Sequence, residues 1–120
     1  MPRISQKQRI ENLKNDGRFI RIEASLLEQL ENNKIDLEYN RDLISDYMAL
    51  WITKCMLIDD INKRGVTVLY NNGGGQKGRK KNESVTELTK VNTQMLKILD
   101  NLGLKPINVI ADAGDGDDPL

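Results

Sequence analysis

The sequence predicts a mainly α fold: a core of two long antiparallel helices joined by a glycine-rich loop or short β-hairpin, with smaller helices ahead of it. Three observations carry this expectation. Asn40 to Gly65, NRDLISDYMALWITKCMLIDDINKRG, keeps apolar residues at helical spacing for about six and a half turns, roughly 37 Å. A second such stretch runs from Asn82 or Ser84 to Gly103. Between them lies NNGGGQKGRKKN, whose three consecutive glycines favour a flexible turn or hairpin tip. One domain is expected, with a basic helical segment at 1–33, the helical core at 34–106 enclosing a glycine-rich basic loop at 66–82, and an acidic flexible tail at 107–120.

In residues 4–33, Ile10, Leu13, Gly17, Ile20, Ala24 and Leu27 follow a helical rhythm. Asn15-Asp16-Gly17 reads as a turn, and FIRIE, with β-branched Ile20 and Ile22, as a poor helix segment. The expectation is therefore a first helix ending near Asn15 and a second over residues 23–31.

The long helix that follows ends clearly, with Lys63 and Arg64 in its last turn and Gly65 able to take a left-handed conformation. Its start is Asn40 as N-cap, or Asp36 one turn earlier. Ile44, Tyr47, Met48, Trp51, Cys55 and Ile58 form one apolar line, and Leu43, Leu50, Leu57 and Ile61 a second beside it. Two lines are too wide for one neighbour, and in so short a chain a second neighbour can be another copy. Leu43, Tyr47, Leu50, Trp51, Leu57 and Ile61, with Met95 of the last helix, are the expected oligomerisation positions.

After Gly65, Val66 to Tyr70 is a β-prone run. Gly73 and Gly78 have the offset of a phosphate-binding P-loop, but Arg79 and Lys80 stand where Lys and Ser/Thr are required, so a nucleotide site is rejected. The last helix begins with a capping box at Ser84-Val85-Thr86-Glu87 if not at Asn82. Leu88, Val91, Met95, Ile98 and Leu102 form its seam, and Gly103-Leu104 with Pro106 specifies its end as a Schellman motif.

The composition excludes several functions. With no histidine and Cys55 alone on an apolar helix face, neither a transition-metal site nor a Ser-His or Cys-His pair is expected, and no cofactor is called for. The longest apolar run, Tyr47 to Ile52, is six residues, so no membrane partner is expected, and MPRISQKQRI lacks the core of a signal peptide, which points to the cytosol.

The net charge of +0 conceals a segregated distribution. Residues 1–21 carry a net +4, and Lys77, Arg79, Lys80 and Lys81 add four positive charges. Residues 22–64 sum to −4, and Asp112, Asp115, Asp117 and Asp118 place another −4 in the tail. On one continuous helix, Arg3, Lys7, Lys14, Arg18 and Arg21 would project within about 60° of one another, a basic stripe suited to phosphate. This stripe is the expected main polyanion site and the Lys77–Lys81 cations a secondary one, whose loop suits nonspecific contact.

The run from Leu43 to Pro106 resembles the small terminase subunit of tailed bacteriophages, of the cohesive-end-packaging type. The likeness rests on the order and spacing of DYMALWITKCMLIDDINKRG, a short glycine-containing insertion, a polar Asn-initiated helix and the closing LGLKP at Leu102 to Pro106, about half the chain. The resemblance implies a non-enzymatic subunit, in the host cytoplasm, that forms a homo-oligomeric ring, recognises double-stranded viral DNA at the packaging site, and recruits and stimulates the large terminase subunit. Its acidic tail, Asp112, Asp115, Asp117 and Asp118, is then the expected dock for the large subunit. The residues by themselves leave two alternatives: a helical DNA-binding regulator, or a structural coiled-coil adaptor that ignores DNA.

Overall fold

The computed structural model describes residues 4–71, 74–75 and 77–104. Arg3, Pro106 and the four tail aspartates lie outside the described residues. The elements are α1 (Gln6–Lys14), α2 (Gly17–Asn32), α3 (Glu38–Arg64), β1 (Thr67–Asn71), β2 (Lys77–Lys81) and α4 (Glu83–Leu102). The mainly helical expectation holds, with a two-stranded antiparallel sheet as the link between the two long helices.

Ser5 caps α1, its hydroxyl accepting from the Gln8 amide at 3.0 Å. The turn falls at Asn15-Asp16 as expected, but α2 begins at once rather than near Glu23. Asp16 caps it, accepting from the Arg18 amide at 2.7 Å, and the FIRIE segment is helical. Packing overrides its weak propensity, because Phe19 and Ile22 lie against the core. The break also resets the helical phase. Leu13 and Leu30 are buried while Ile20 and Ala24 are exposed, so the single apolar line through residues 10–27 does not form. α2 ends in a Schellman arrangement with Lys34 in the left-handed region (φ 59°): the Lys34 amide donates to Glu31 O at 3.1 Å and the Ile35 amide to Leu30 O at 2.9 Å.

α3 opens two residues ahead of Asn40, with Leu37 in the N-cap position. Asn40 instead secures the preceding turn, its side-chain amide donating to Ile35 O at 2.8 Å. α3 packs against α4 on one side and against α2 and α1 on another. Its second neighbour is therefore supplied within the chain. Ile44, Met48, Trp51 and Ile52 are buried on α3, and Val91, Met95, Leu99 and Leu102 on α4, in one cluster with Leu13, Leu30 and Leu104. Gly65 has positive φ (86°) but extended ψ (178°), so it launches the strand instead of closing a left-handed cap. At the far end the expected Schellman motif forms. Gly103 is left-handed, the Leu104 amide donates to Leu99 O at 2.8 Å, and Leu104 is buried.

Candidate nucleic-acid interface

The Lys77–Lys81 cations occupy the second strand of a short ribbon, the hairpin form of the loop-or-hairpin link expected between the long helices. β1 and β2 pair in the register Thr67↔Lys81, Val68↔Lys80, Leu69↔Arg79, Tyr70↔Gly78 and Asn71↔Lys77. Directly opposed residues share a face, so Lys77, Arg79 and Lys81 stand on one side with Thr67 and Leu69, while Lys80 stands on the other with Val68 and Tyr70. The Tyr70 ring lies across Gly78 so closely that a Cβ there would come within 2.8–2.9 Å of it. Across the charged face, Arg79 Nη1 donates to Thr67 Oγ1 at 3.1 Å.

A polar knot fixes the base of the ribbon. Asn82, 0% exposed, accepts at its Oδ1 from Arg64 Nη2 (3.1 Å) and from the Ser84 amide (2.9 Å), and donates from Nδ2 to Asp60 Oδ2 (3.1 Å) and Gly65 O (2.9 Å). Its backbone amide donates to Val66 O at 2.8 Å. Asn82 is thus the N-cap of α4, and the Ser84 capping box does not form. The Ser84 hydroxyl donates instead to Asp60 Oδ2 at 2.7 Å. Arg64 grips Asp60 with two hydrogen bonds of 2.7 and 2.8 Å. Hydrogen bonds from Arg64, then Ser84 and Asn82, hold the Asp60 carboxyl far below the ordinary carboxylate range. Sequence reasoning missed this knot. The available signals were the i, i+4 pair Asp60/Arg64 and an Asn immediately ahead of a helix.

The N-terminal cations are arranged differently. With the chain broken at Asn15-Asp16, they do not line one continuous helix. Arg18 hydrogen-bonds back to Asp16 and lies 5.5 Å from the Trp51 ring centroid, beside the edge-on contact of Phe19 with the same ring. Arg9 is engaged in a two-pronged pair with Asp59, at 2.8 and 3.1 Å. Lys7, Lys14 and Arg21 are exposed, and Lys14 borders a groove floored by Ile10, Phe19, Met48 and Ile52.

Of the expected oligomerisation positions, Trp51 (7% exposed) and Met95 (5%) are spent on the core of a single chain. Leu43, Tyr47, Leu50, Leu57 and Ile61 are half-buried. Burial pushes the Cys55 thiol up, the opposite of what a reactive cysteine needs. No cluster of metal-ligating residues occurs among the described residues, and no described helix is long and apolar enough to cross a membrane.

The sequence matches the family described as phage terminase, small subunit, over residues 24–108. The chain belongs to that family. No curated protein and no solved structure gives a significant match. In this small terminase subunit the matched segment takes in α3, the ribbon, α4 and the knot that joins them. α1 and the positions Arg3, Lys7, Lys14, Arg18 and Arg21 precede it. Membership supports a role in phage DNA packaging, carried out inside the host, with DNA and a large terminase subunit as the general partners.

Proposed function

We propose that this chain is a non-enzymatic small terminase subunit of the cohesive-end type that forms a homo-oligomeric ring, recognises double-stranded viral DNA at the packaging site, and recruits and stimulates the large subunit. The family match over 24–108 is the observation that carries this reading. The surface of the chain supports it. Ile20, Tyr39 and Leu96 are exposed apolar side chains, and Leu43, Tyr47, Leu50, Leu57 and Ile61 are incompletely covered, which together offer apolar area to neighbouring copies. Burying ~1,000 Å² of such surface contributes about 25 kcal/mol before association costs, enough to favour assembly.

The two basic groups provide the DNA contacts, and the aspartates at 112, 115, 117 and 118 dock the large subunit through a basic surface on it. A native mass measurement combined with duplex binding at several salt concentrations tests the proposal. An oligomer that binds duplex with a steep salt dependence is expected. A monomer at micromolar concentration, or an oligomer indifferent to DNA, would refute it, the latter in favour of a coiled-coil adaptor.

A further inference from the structure

We propose that the β1–β2 ribbon is the principal DNA-contacting element of the subunit and enters the major groove with its Lys77–Arg79–Lys81 face. This rests on the DNA-binding reading above and deepens it by naming the element, the groove and the base-edge contact.

The first observation is charge availability. Residues 65–82 contain four cations and no carboxylate. None of those cations forms an ion pair among the described residues, whereas in the N-terminal segment Arg18 of the expected stripe is taken up by Asp16 and the neighbouring Arg9 by Asp59. That leaves Lys7, Lys14 and Arg21 as the stripe's unpaired described cations, divided between α1 and α2. A cation already paired within the chain gains less from a phosphate, because the existing partner must first be given up.

The second observation is shape. On one face of a strand, alternate residues repeat every ~6.8 Å, so Lys77, Arg79 and Lys81 form a straight row of three charges. A row on a two-stranded ribbon fits a duplex whose major groove, about 12 Å wide, admits such a ribbon. An acidic peptide would be served equally well by any scattered set of lysines.

The third observation is the centre of the row. Leu69 is 75% exposed and directly opposite Arg79, and Arg79 is steadied by its hydrogen bond to Thr67 Oγ1. A positioned guanidinium beside a projecting isobutyl group matches the guanine O6/N7 edge and the thymine methyl, which are presented together only in the major groove. The outer lysines then take phosphates and set the register. Rigidity comes from below and behind: the Asn82 amide closes the ribbon at Val66 O, and Tyr70 packs on Gly78 across the reverse face. A ribbon so held is anchored at its base to the end of α3 and the start of α4.

The test uses the full-length protein and a mixed-sequence duplex. Lys77→Ala/Arg79→Ala/Lys81→Ala is compared with Lys7→Ala/Lys14→Ala/Arg21→Ala, and circular dichroism checks that both retain their helices. The ribbon variant, which removes two phosphate contacts, is expected to lower the slope of log affinity against log salt by about 1.8, with a smaller loss for the N-terminal variant. Methyl green, a major-groove ligand, should displace the protein where the minor-groove ligand netropsin does not. Leu69→Ser, which changes no charge, should weaken binding several-fold, and Arg79→Lys should keep the salt slope while reducing sequence preference about tenfold. An unchanged slope in the ribbon variant, a larger loss in the N-terminal variant, or displacement by netropsin alone would overturn the inference and leave DNA binding by the subunit standing. Absence of salt-dependent duplex binding by the unaltered protein would overturn both.

Discussion

Asn82 Nδ2 reaches Asp60 Oδ2 at 3.1 Å across 22 positions of sequence, and through this bond the end of α3, the base of the ribbon and the start of α4 become one unit. Each polar atom of the Asn82 side chain is used, so the buried amide carries no unsatisfied group. The direction of the basic ribbon relative to the helical core is set here.

Replacing Asn82 by alanine removes the α4 cap and takes a donor from the part-buried Gly65 carbonyl and from Asp60, at a cost of about 2–3 kcal/mol. Asn82→Asp is the sharper variant. Aspartate caps an isolated helix as well as asparagine does, but here it would lose the donor to Gly65 O and set a second carboxylate against Asp60. Urea unfolding should therefore rank Asn82→Asp well below the wild type; equal stability would mean that Asn82 acts as a helix cap alone.

The same knot makes stability acid-sensitive. The folded-state Asp60 carboxyl titrates below its unfolded value near 3.8, so its contribution is complete above that value and is lost as the pH falls through and below it. The side chain is 30% exposed, and screening moderates the size of the effect. Asp60→Asn should be less stable than the wild type at neutral pH, and the gap should shrink below about pH 4. A gap that stays constant between neutral and acid pH would contradict the assignment.

Backbone strain at the end of α2 offers a stabilising change. Lys34 is a non-glycine residue at φ 59°, and Lys34→Gly should raise stability by about 1 kcal/mol. Gly103→Ala should lower it by a similar amount, since the left-handed conformation is required there while no atom lies near an added Cβ. Thermal unfolding of the two variants checks the opposite signs.

These four sites also show what could be read from the sequence. The Gly103 terminus was legible because a Schellman motif is specified by residues within one turn of one another. The helix break at Asp16 was legible for the same reason, and so was the mainly helical class. The start of α2 was not, because FIRIE is a poor helix in isolation and becomes helical when Phe19 meets Trp51 and Ile22 meets the core. Asn82 was one of the two starts the sequence offered for α4, and the choice between it and Ser84 involves Asp60, which the sequence places 22 positions away. The basic positions were legible as residues but not as surfaces. Pairing of Arg9 with Asp59, and alternation of Lys77, Arg79 and Lys81 along a strand, follow from tertiary contacts and strand register.

Assembly has its own test. Leu50 and Leu57 are half-buried on α3, and Leu50→Asp or Leu57→Asp places a carboxylate where the proposed neighbouring copy closes over them. Light scattering should report a smaller species. Leu96, 59% exposed on α4, supplies the control for folding, since Leu96→Asp cannot disturb the core of the single chain. An unchanged mass in all three variants would place the contact between copies elsewhere.

The central claim is tested most directly by the rate of ATP hydrolysis by the cognate large terminase subunit on duplex DNA, measured with and without this protein. The expected result is stimulation that requires the assembled protein and disappears when the chain is truncated after Ile110, with the truncated form still oligomeric and still bound to DNA. A rate that the full-length protein leaves unchanged would contradict the role in recruiting and stimulating the motor.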